Sequence, residues 1–149
     1  MSSIQEILIV EDDTKKISDI RSFFNNEVNF KSNLTIKKSF RGGLKALRFK
    51  KFDLIILDMT IPKWEDDLVG DSVEYESFGG FNLLKEMKRK SITTPTILIT
   101  MFREFGSDEN YISLSKINEL CEQNFTFYLG LVYYSSGSNT WINDLKGLL

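Results

Sequence analysis

The chain has 149 residues, of which 42% are hydrophobic, 27% charged and only two proline, the size and composition of one globular domain with no room for a second. Lysine and arginine number 19 against 21 aspartates and glutamates, so there is no surplus of positive charge to condense on nucleic acid or anionic lipid. A single cysteine, Cys121, and no histidine exclude a disulfide framework, a Cys/His zinc site and any mechanism that needs an imidazole.

What chemistry remains must run on carboxylates, hydroxyls and lysines. The apolar runs, such as Ile7 to Val10 and Leu54 to Leu57, fall far short of the ~20 residues of a membrane span. The N-terminus lacks a signal-peptide pattern, and the chain is expected to be cytoplasmic.

Short apolar runs alternate with helix-period segments, the pattern of an α/β parallel sheet. Ile7 to Val10 reads as a buried first strand ending at acidic residues. A first helix from Thr14 carries Ile17, Ile20 and Phe24 at helical spacing, with Lys15, Asp19 and Ser22 on other faces. Leu34 and Ile36 mark a second strand, and Leu44 and Leu47 a second helix. Phe52 to Leu57 repeats the buried-strand pattern and ends at Asp58. A helix over about Phe81 to Arg89 presents Leu83, Leu84 and Met87, and Ile97 to Ile99 forms a fourth strand closing on Thr100. Ser107 or Asp108 is placed to cap a helix carrying Tyr111, Leu114, Ile117 and Cys121. The fifth strand falls within Phe125 to Tyr134, and Thr140 to Leu148 makes a terminal helix. The expected fold is a (βα)5 chain: an open parallel five-stranded sheet with helices on both faces. Leu54, Ile56, Ile97 and Ile99 are expected in its core, on the two faces of the sheet. Cys121 reads as a small buried apolar residue.

Ligands of such sheets sit at the carboxyl edge. The strand assignments bring Glu11, Asp12, Asp13, Asp58 and Thr100 to that edge. Gathered carboxylates raise one another's pKa unless a cation intervenes, and a hard divalent ion such as Mg²⁺ relieves the repulsion. On their own, Glu11 to Asp13 are also what a solvated helix N-terminus would carry; Asp58 at the matching strand end favours the metal.

Four segments, ILIVEDD (Ile7 to Asp13), FDLIILDMTIP (Phe52 to Pro62), GFNLLKEMK (Gly80 to Lys88) and TPTILIT (Thr94 to Thr100), stand in an order that resembles the receiver domains of two-component response regulators. The resemblance runs well from about Ile4 to Thr100 and by topology alone beyond. It implies the flavodoxin-like receiver topology, with Asp58 as the phosphoacceptor. It also implies Mg²⁺ bound by Glu11, Asp12, Asp58 and the carbonyl of Thr60, and Thr100 as a switch hydroxyl. The implied partners are a histidine kinase or phosphotransfer protein and a downstream protein target, without nucleic acid or membrane; a homodimer is left open.

Three departures stand beside the resemblance. The family has a lysine at the end of the fifth strand, where this chain has Tyr134 or its neighbour Tyr133; no lysine or arginine occurs between Lys116 and Lys146. A tyrosine donates one hydrogen bond but brings no positive charge, so the phosphoryl group is expected to be held more weakly, unless another cation such as Arg103 serves. Secondly, the domain, read as residues 1–149, carries an insertion at about 64–78 with six acidic residues and no base, leaving the remainder near +4. Such a loop would repel phosphate donors, dock as a lid, contact a partner, or simply be solvated. Thirdly, Met101 and Phe102 follow Thr100, where bulk would narrow access to Asp58 or fill space left by the altered fifth strand.

The leading expectation is a phosphorelay receiver module acting through protein contact. The alternative is a degenerate receiver working as a phosphorylation-independent interaction module. A Mg²⁺-dependent phosphohydrolase is the remaining class, disfavoured because Thr60 stands where such enzymes place a second aspartate. The protein is not expected to be an enzyme.

Overall fold

The continuous apolar runs become the centre of a sheet whose edges are the more polar strands. A computed structural model of the chain describes residues 4–26, 31–62, 75–76, 78–105 and 112–149. The elements are β1 (Glu6–Val10), α1 (Thr14–Asn26), β2 (Asn33–Lys37), α2 (Phe40–Phe49), β3 (Leu54–Leu57), β4 (Ile61–Pro62), β5 (Tyr75–Glu76), α3 (Gly79–Arg89), β6 (Thr96–Thr100), β7 (Glu104–Phe105), β8 (Ile112–Ser113), α4 (Leu114–Asn124), β9 (Tyr128–Tyr133) and α5 (Thr140–Leu148). Five strands form one parallel sheet in the order β2-β1-β3-β6-β9. Setting the two-residue strands aside, this is the 2-1-3-4-5 order of the flavodoxin-like fold, as expected from the sequence.

Alternation along each strand divides the core in two. Leu8, Val10, Ile55, Leu57 and Leu98 face α2, α3 and α4, meeting Leu44, Leu47, Leu83, Leu84, Met87, Ile117 and Cys121. Ile7, Ile9, Leu54, Ile56, Ile97 and Ile99 face α1 and α5, meeting Ile20, Phe23, Phe24, Trp141 and Leu145. Leu54, Ile56, Ile97 and Ile99 are therefore buried, but on one face and not two. The reason is register: Ile56 pairs with Ile97, so strand residues two apart on both strands share that side.

The helix after β8 begins later than the Ser107/Asp108 cap predicts. Ser113 caps it, its Oγ accepting from Lys116 N at 3.2 Å. Pairing of Ile112–Ser113 with Glu104–Phe105 holds the two residues before the helix extended; Ser107, Asp108 and Tyr111 lie outside the described residues.

One irregularity matters for the site. Thr96 pairs with Tyr128 but Ile97 with Gly130, so Leu129 is an extra, exposed residue in β9. Gly130 takes φ +155°, open to glycine alone, and a Cβ there would lie 2.8 Å from Leu148 Cδ2. The bulge reverses the alternation: Tyr128 faces the α4 side, whereas Val132 and Tyr134 face α1 and α5.

Candidate functional site

Register alone aligns the acidic residues. Val10 pairs with Leu57 and Leu57 with Leu98, so Glu11, Asp58 and Ile99 lie level, one step past those pairs. Main-chain bonds fix the two acidic positions: Glu11 N donates to Lys37 O at 2.9 Å, and Asp58 N to Val10 O at 3.0 Å. The chain then turns into α1. Glu11 Oε2 accepts from Asp12 N at 3.0 Å and Asp13 N at 3.1 Å, and Asp13 Oδ2 accepts from Lys16 N at 3.0 Å, so the acids satisfy the open amides of the helix start.

Glu11, Asp12 and Asp58 each offer a carboxylate oxygen within 4.8 Å of the others. Glu11 is 1% exposed and Asp58 3%, while Asp12 is half-buried. Burial pushes the Glu11 carboxyl up to about 8 against the pull of Lys16, with Asp58 raising it further. Asp58 is likewise pushed up, chiefly by burial, with Lys16 opposing. Of the four carboxylates that the sequence brings to this edge, the structure groups Glu11, Asp12 and Asp58, while Asp13 serves the amide of Lys16. Thr60 follows two residues after Asp58 and is half-buried.

Thr100 is fully buried at the end of β6. Its hydroxyl oxygen accepts from Phe102 N at 3.2 Å, and its carbonyl accepts from Tyr134 N at 2.8 Å. The hydroxyl is tied into the following loop, the segment a switch residue would have to move. Met101 and Phe102 are both exposed. Met101 lines an open cleft of about 390 Å³ together with Asp13, Lys15, Tyr133, Tyr134, Ser135 and Ser136, and so does not fill a void beside the fifth strand.

Tyr134 bonds through its hydroxyl to a carboxylate outside the Glu11, Asp12 and Asp58 group. Its ring packs on Trp141 with centroids 5.4 Å apart, and its hydroxyl donates to Asp19 Oδ2 at 2.5 Å. Burial and the Asp19 acceptor push its phenol upward, which keeps it a protonated donor. Lys15 Nζ closes this group at 2.6 Å from Asp19 Oδ1. Tyr133 carries the Arg103 guanidinium over its ring at 4.0 Å, so Arg103 is engaged there and not at Asp58.

The positive charge comes from a residue that the sequence reading passed over. Lys16, on the first turn of α1, is 0% exposed. Its ammonium forms ion pairs with Glu11 and, at 3.1 Å, with Asp58 Oδ1, donates to the carbonyl of Ile99 at 2.8 Å, and sits 5.9 Å from the centroid of the Tyr134 ring. The signal was present in the spacing. Residues 16, 20, 23 and 24 form one helical stripe, and Ile20, Phe23 and Phe24 make it the core stripe. A lysine on that stripe has to find buried partners.

The insertion assigned to residues 64–78 lies almost entirely outside the described residues; of it, Tyr75–Glu76 pair with Ile61–Pro62, and Phe78 precedes α3. Among the described residues no helix is long and apolar enough to cross a membrane.

Comparison with known proteins places these features in context. An uncharacterised protein of Sinorhizobium fredii is 30% identical over 141 residues, covering 93% of each chain. The Detocs response regulatory protein DtcB of Enterobacter cloacae is 33% identical over 147 residues, covering 94% of this chain and 95% of that one. The structure of the response regulator TrrA of Thermotoga maritima, in complex with Mg²⁺ and BeF, superposes with a TM-score of 0.58 at 19% identity, over 98% of this chain and all of that one. The family model of the response regulator receiver domain matches residues 7–115, from the first strand through the start of α4. The order of strands, the acidic edge and this match agree, and the chain belongs to the response regulator receiver domain family.

Proposed function

We propose that this receiver domain accepts a phosphoryl group on Asp58 in a Mg²⁺-dependent step and passes the signal on by contact with another protein. The observation that carries the reading is the meeting of Glu11, Asp12 and Asp58 within 4.8 Å around one buried ammonium. Three carboxylates and one lysine leave two formal negative charges, which a divalent cation matches. Glu11 Oε1 and Asp58 Oδ1 face Lys16 as ions but receive no directed hydrogen bond, so both retain capacity for a further ligand. The donor set is all hard oxygen, which suits Mg²⁺. Glu11, Asp12, Asp58 and the Thr60 carbonyl would hold it. When bound, Mg²⁺ supplies charge neutralisation for the transferred phosphoryl oxygens.

The residues of the chain do the remainder. A carboxylate oxygen of Asp58 attacks phosphorus, the new P–O bond forms an acyl phosphate, and the bond to the donor breaks with its electron pair leaving on the donor. Main-chain anchoring of Asp58 through Val10 fixes the nucleophile, and burial limits competing water. Thr100, one step along from the level of Asp58, is the hydroxyl suited to donate to a phosphoryl oxygen, since its present bond with Phe102 N engages the oxygen as acceptor and not its O–H. The donor is a histidine kinase or phosphotransfer protein, and the setting is the cytoplasm. We read residues 1–149 as one receiver-like domain carrying an acidic insertion at about 64–78. Receiver domains are signalling modules, and we assign no turnover of a substrate. A phosphorylation-independent role is favoured by the missing strand lysine and the acidic insertion; Lys16 supplies a charge in answer to the first and so supports the phosphorylated reading.

Incubation with Mg²⁺ and a small acyl-phosphate donor, followed by intact mass measurement, tests this. One phosphoryl group should add to the wild type and none to Asp58→Asn. An unmodified wild type that also fails to bind Mg²⁺ would sink the proposal.

A further inference from the structure

We propose that Lys16 is the cation of the phosphorylation site, delivered from α1 in place of the strand-end lysine, and that it couples Asp58 to the strand bearing Thr100. The inference rests on the phosphoryl-acceptor reading above. Tyr134 and Lys16 meet at one place: Tyr134, just past the end of β9, donates its amide to the Thr100 carbonyl, and the ammonium lies 5.9 Å from its ring. The bulge at Leu129 turns Tyr134 toward α1, and its hydroxyl bond to Asp19 holds it against the helix one turn beyond Lys16. The tyrosine thus forms a wall for the cation instead of supplying one.

Lys16 is placed to do more than neutralise. Its three partners come from three different strands' ends: Glu11 after β1, Asp58 after β3, and the carbonyl of Ile99 in β6. Ile99 is the residue before Thr100. The ammonium gives a directed hydrogen bond to the switch strand and shares its charge, as ion pairs, with the nucleophile and a metal-site carboxylate. A phosphoryl group on Asp58 would draw Lys16 toward its oxygens, and the Ile99 carbonyl would register that movement directly. Before phosphorylation the same ammonium competes with Mg²⁺ for Glu11 and Asp58.

These two effects have opposite signs in one variant. Lys16→Met removes a positive charge close to the carboxylates, so Mg²⁺ alone should bind about tenfold more tightly. Beryllofluoride with Mg²⁺, a stand-in for the phosphoryl group, should bind about tenfold more weakly relative to Mg²⁺ alone. Both affinities are measured by following main-chain amide signals, and the amides of Thr100, Met101 and Phe102 should shift less in the variant. Adding Tyr134→Lys to Lys16→Met should restore beryllofluoride binding. In the wild type, the Lys16 ammonium resonance should move when beryllofluoride is added, a measurement that stands even if Lys16→Met does not fold.

A folded Lys16→Met protein with both affinities within twofold of wild type would overturn the inference, as would an ammonium resonance indifferent to beryllofluoride. Parallel weakening of both ligands would mark Lys16 as purely structural and overturn it too. If the wild type binds neither Mg²⁺ nor beryllofluoride, the phosphoryl-acceptor reading itself falls, and this inference falls with it.

Discussion

Replacing Gly80 by alanine probes how closely α3 is pressed against the segment that carries Asp58. A Cβ at Gly80 would lie 2.3 Å from the Asp58 carbonyl oxygen, 2.9 Å from Met59 Cα and 3.0 Å from the Asp58 carbonyl carbon. All three are main-chain atoms, so no rotamer change relieves the clash. Recovering ordinary contact needs a retreat of about 1 Å. That retreat lengthens the bond from Gly80 N to Met59 O, now 2.8 Å. Losing it costs about 1 kcal/mol, and overpacking adds about 1 to 3 kcal/mol. The sum of about 2 to 4 kcal/mol corresponds to roughly 10 °C in Tm for a chain of this size. Gly147→Ala is the control: nothing lies within 4 Å of its Cβ in α5, so the variant should gain up to about 1 kcal/mol from helix propensity. Thermal unfolding followed by circular dichroism reads both. Gly80→Ala melting within 2 °C of wild type, or Gly147→Ala melting lower, would refute the reasoning.

Ile56→Ala, at a fully buried position between α1 and α5, should cost about 2 to 5 kcal/mol in urea unfolding. Tyr134→Phe deletes the donor to Asp19 and should lose about 1 kcal/mol by the same measurement. Tyr134→Lys alone should give no gain in phosphoryl occupancy by intact mass, since Lys16 already brings a charge to that place. Cys121 is buried and its thiol pushed up to about 12, mainly by burial with Glu122 adding to it, so iodoacetamide at pH 8 should label it only after unfolding. Asp53 accepts from the amides of Glu6 and Gln5, which hold its carboxyl below the ordinary 3.8. Its contribution to stability is therefore present above about pH 4 and lost as pH falls through the lower folded value. The Tm difference between wild type and Asp53→Ala should shrink correspondingly at acid pH.

The central strands were legible because β1, β3 and β6 are buried on both faces, which leaves an unbroken apolar run in the sequence. The same continuity concealed which face each residue takes, since no polar neighbour marks the outside; only the pairing of Ile56 with Ile97 assigns it. Asp58 and the Glu11–Asp12 pair were legible as acids at strand ends. Lys16 was not, because a lysine in a helix reads as surface unless its place on the stripe with Ile20, Phe23 and Phe24 is weighed. The bulge at Leu129 leaves no sequence signature except Gly130, and without it the side to which Tyr134 turns is undetermined. At α4, Ser113 and Ser107 are equally good caps by type; the short antiparallel pairing of Ile112–Ser113 with Glu104–Phe105 goes with the cap at Ser113.

The pairing of Ile61 with Glu76 and Pro62 with Tyr75 makes the departure and return points of the intervening segment neighbours, about 5 Å apart. A segment anchored in this way is thermodynamically almost decoupled from its own length: doubling it adds only about 0.6 kcal/mol of closure entropy. The clasp is a two-stranded pair of its own and takes no place in the five-stranded sheet. Yet Ile61 is only three residues from Asp58. The clasp therefore stands beside the proposed phosphoacceptor as a place where a loop of another length can be grafted at little cost in closure entropy.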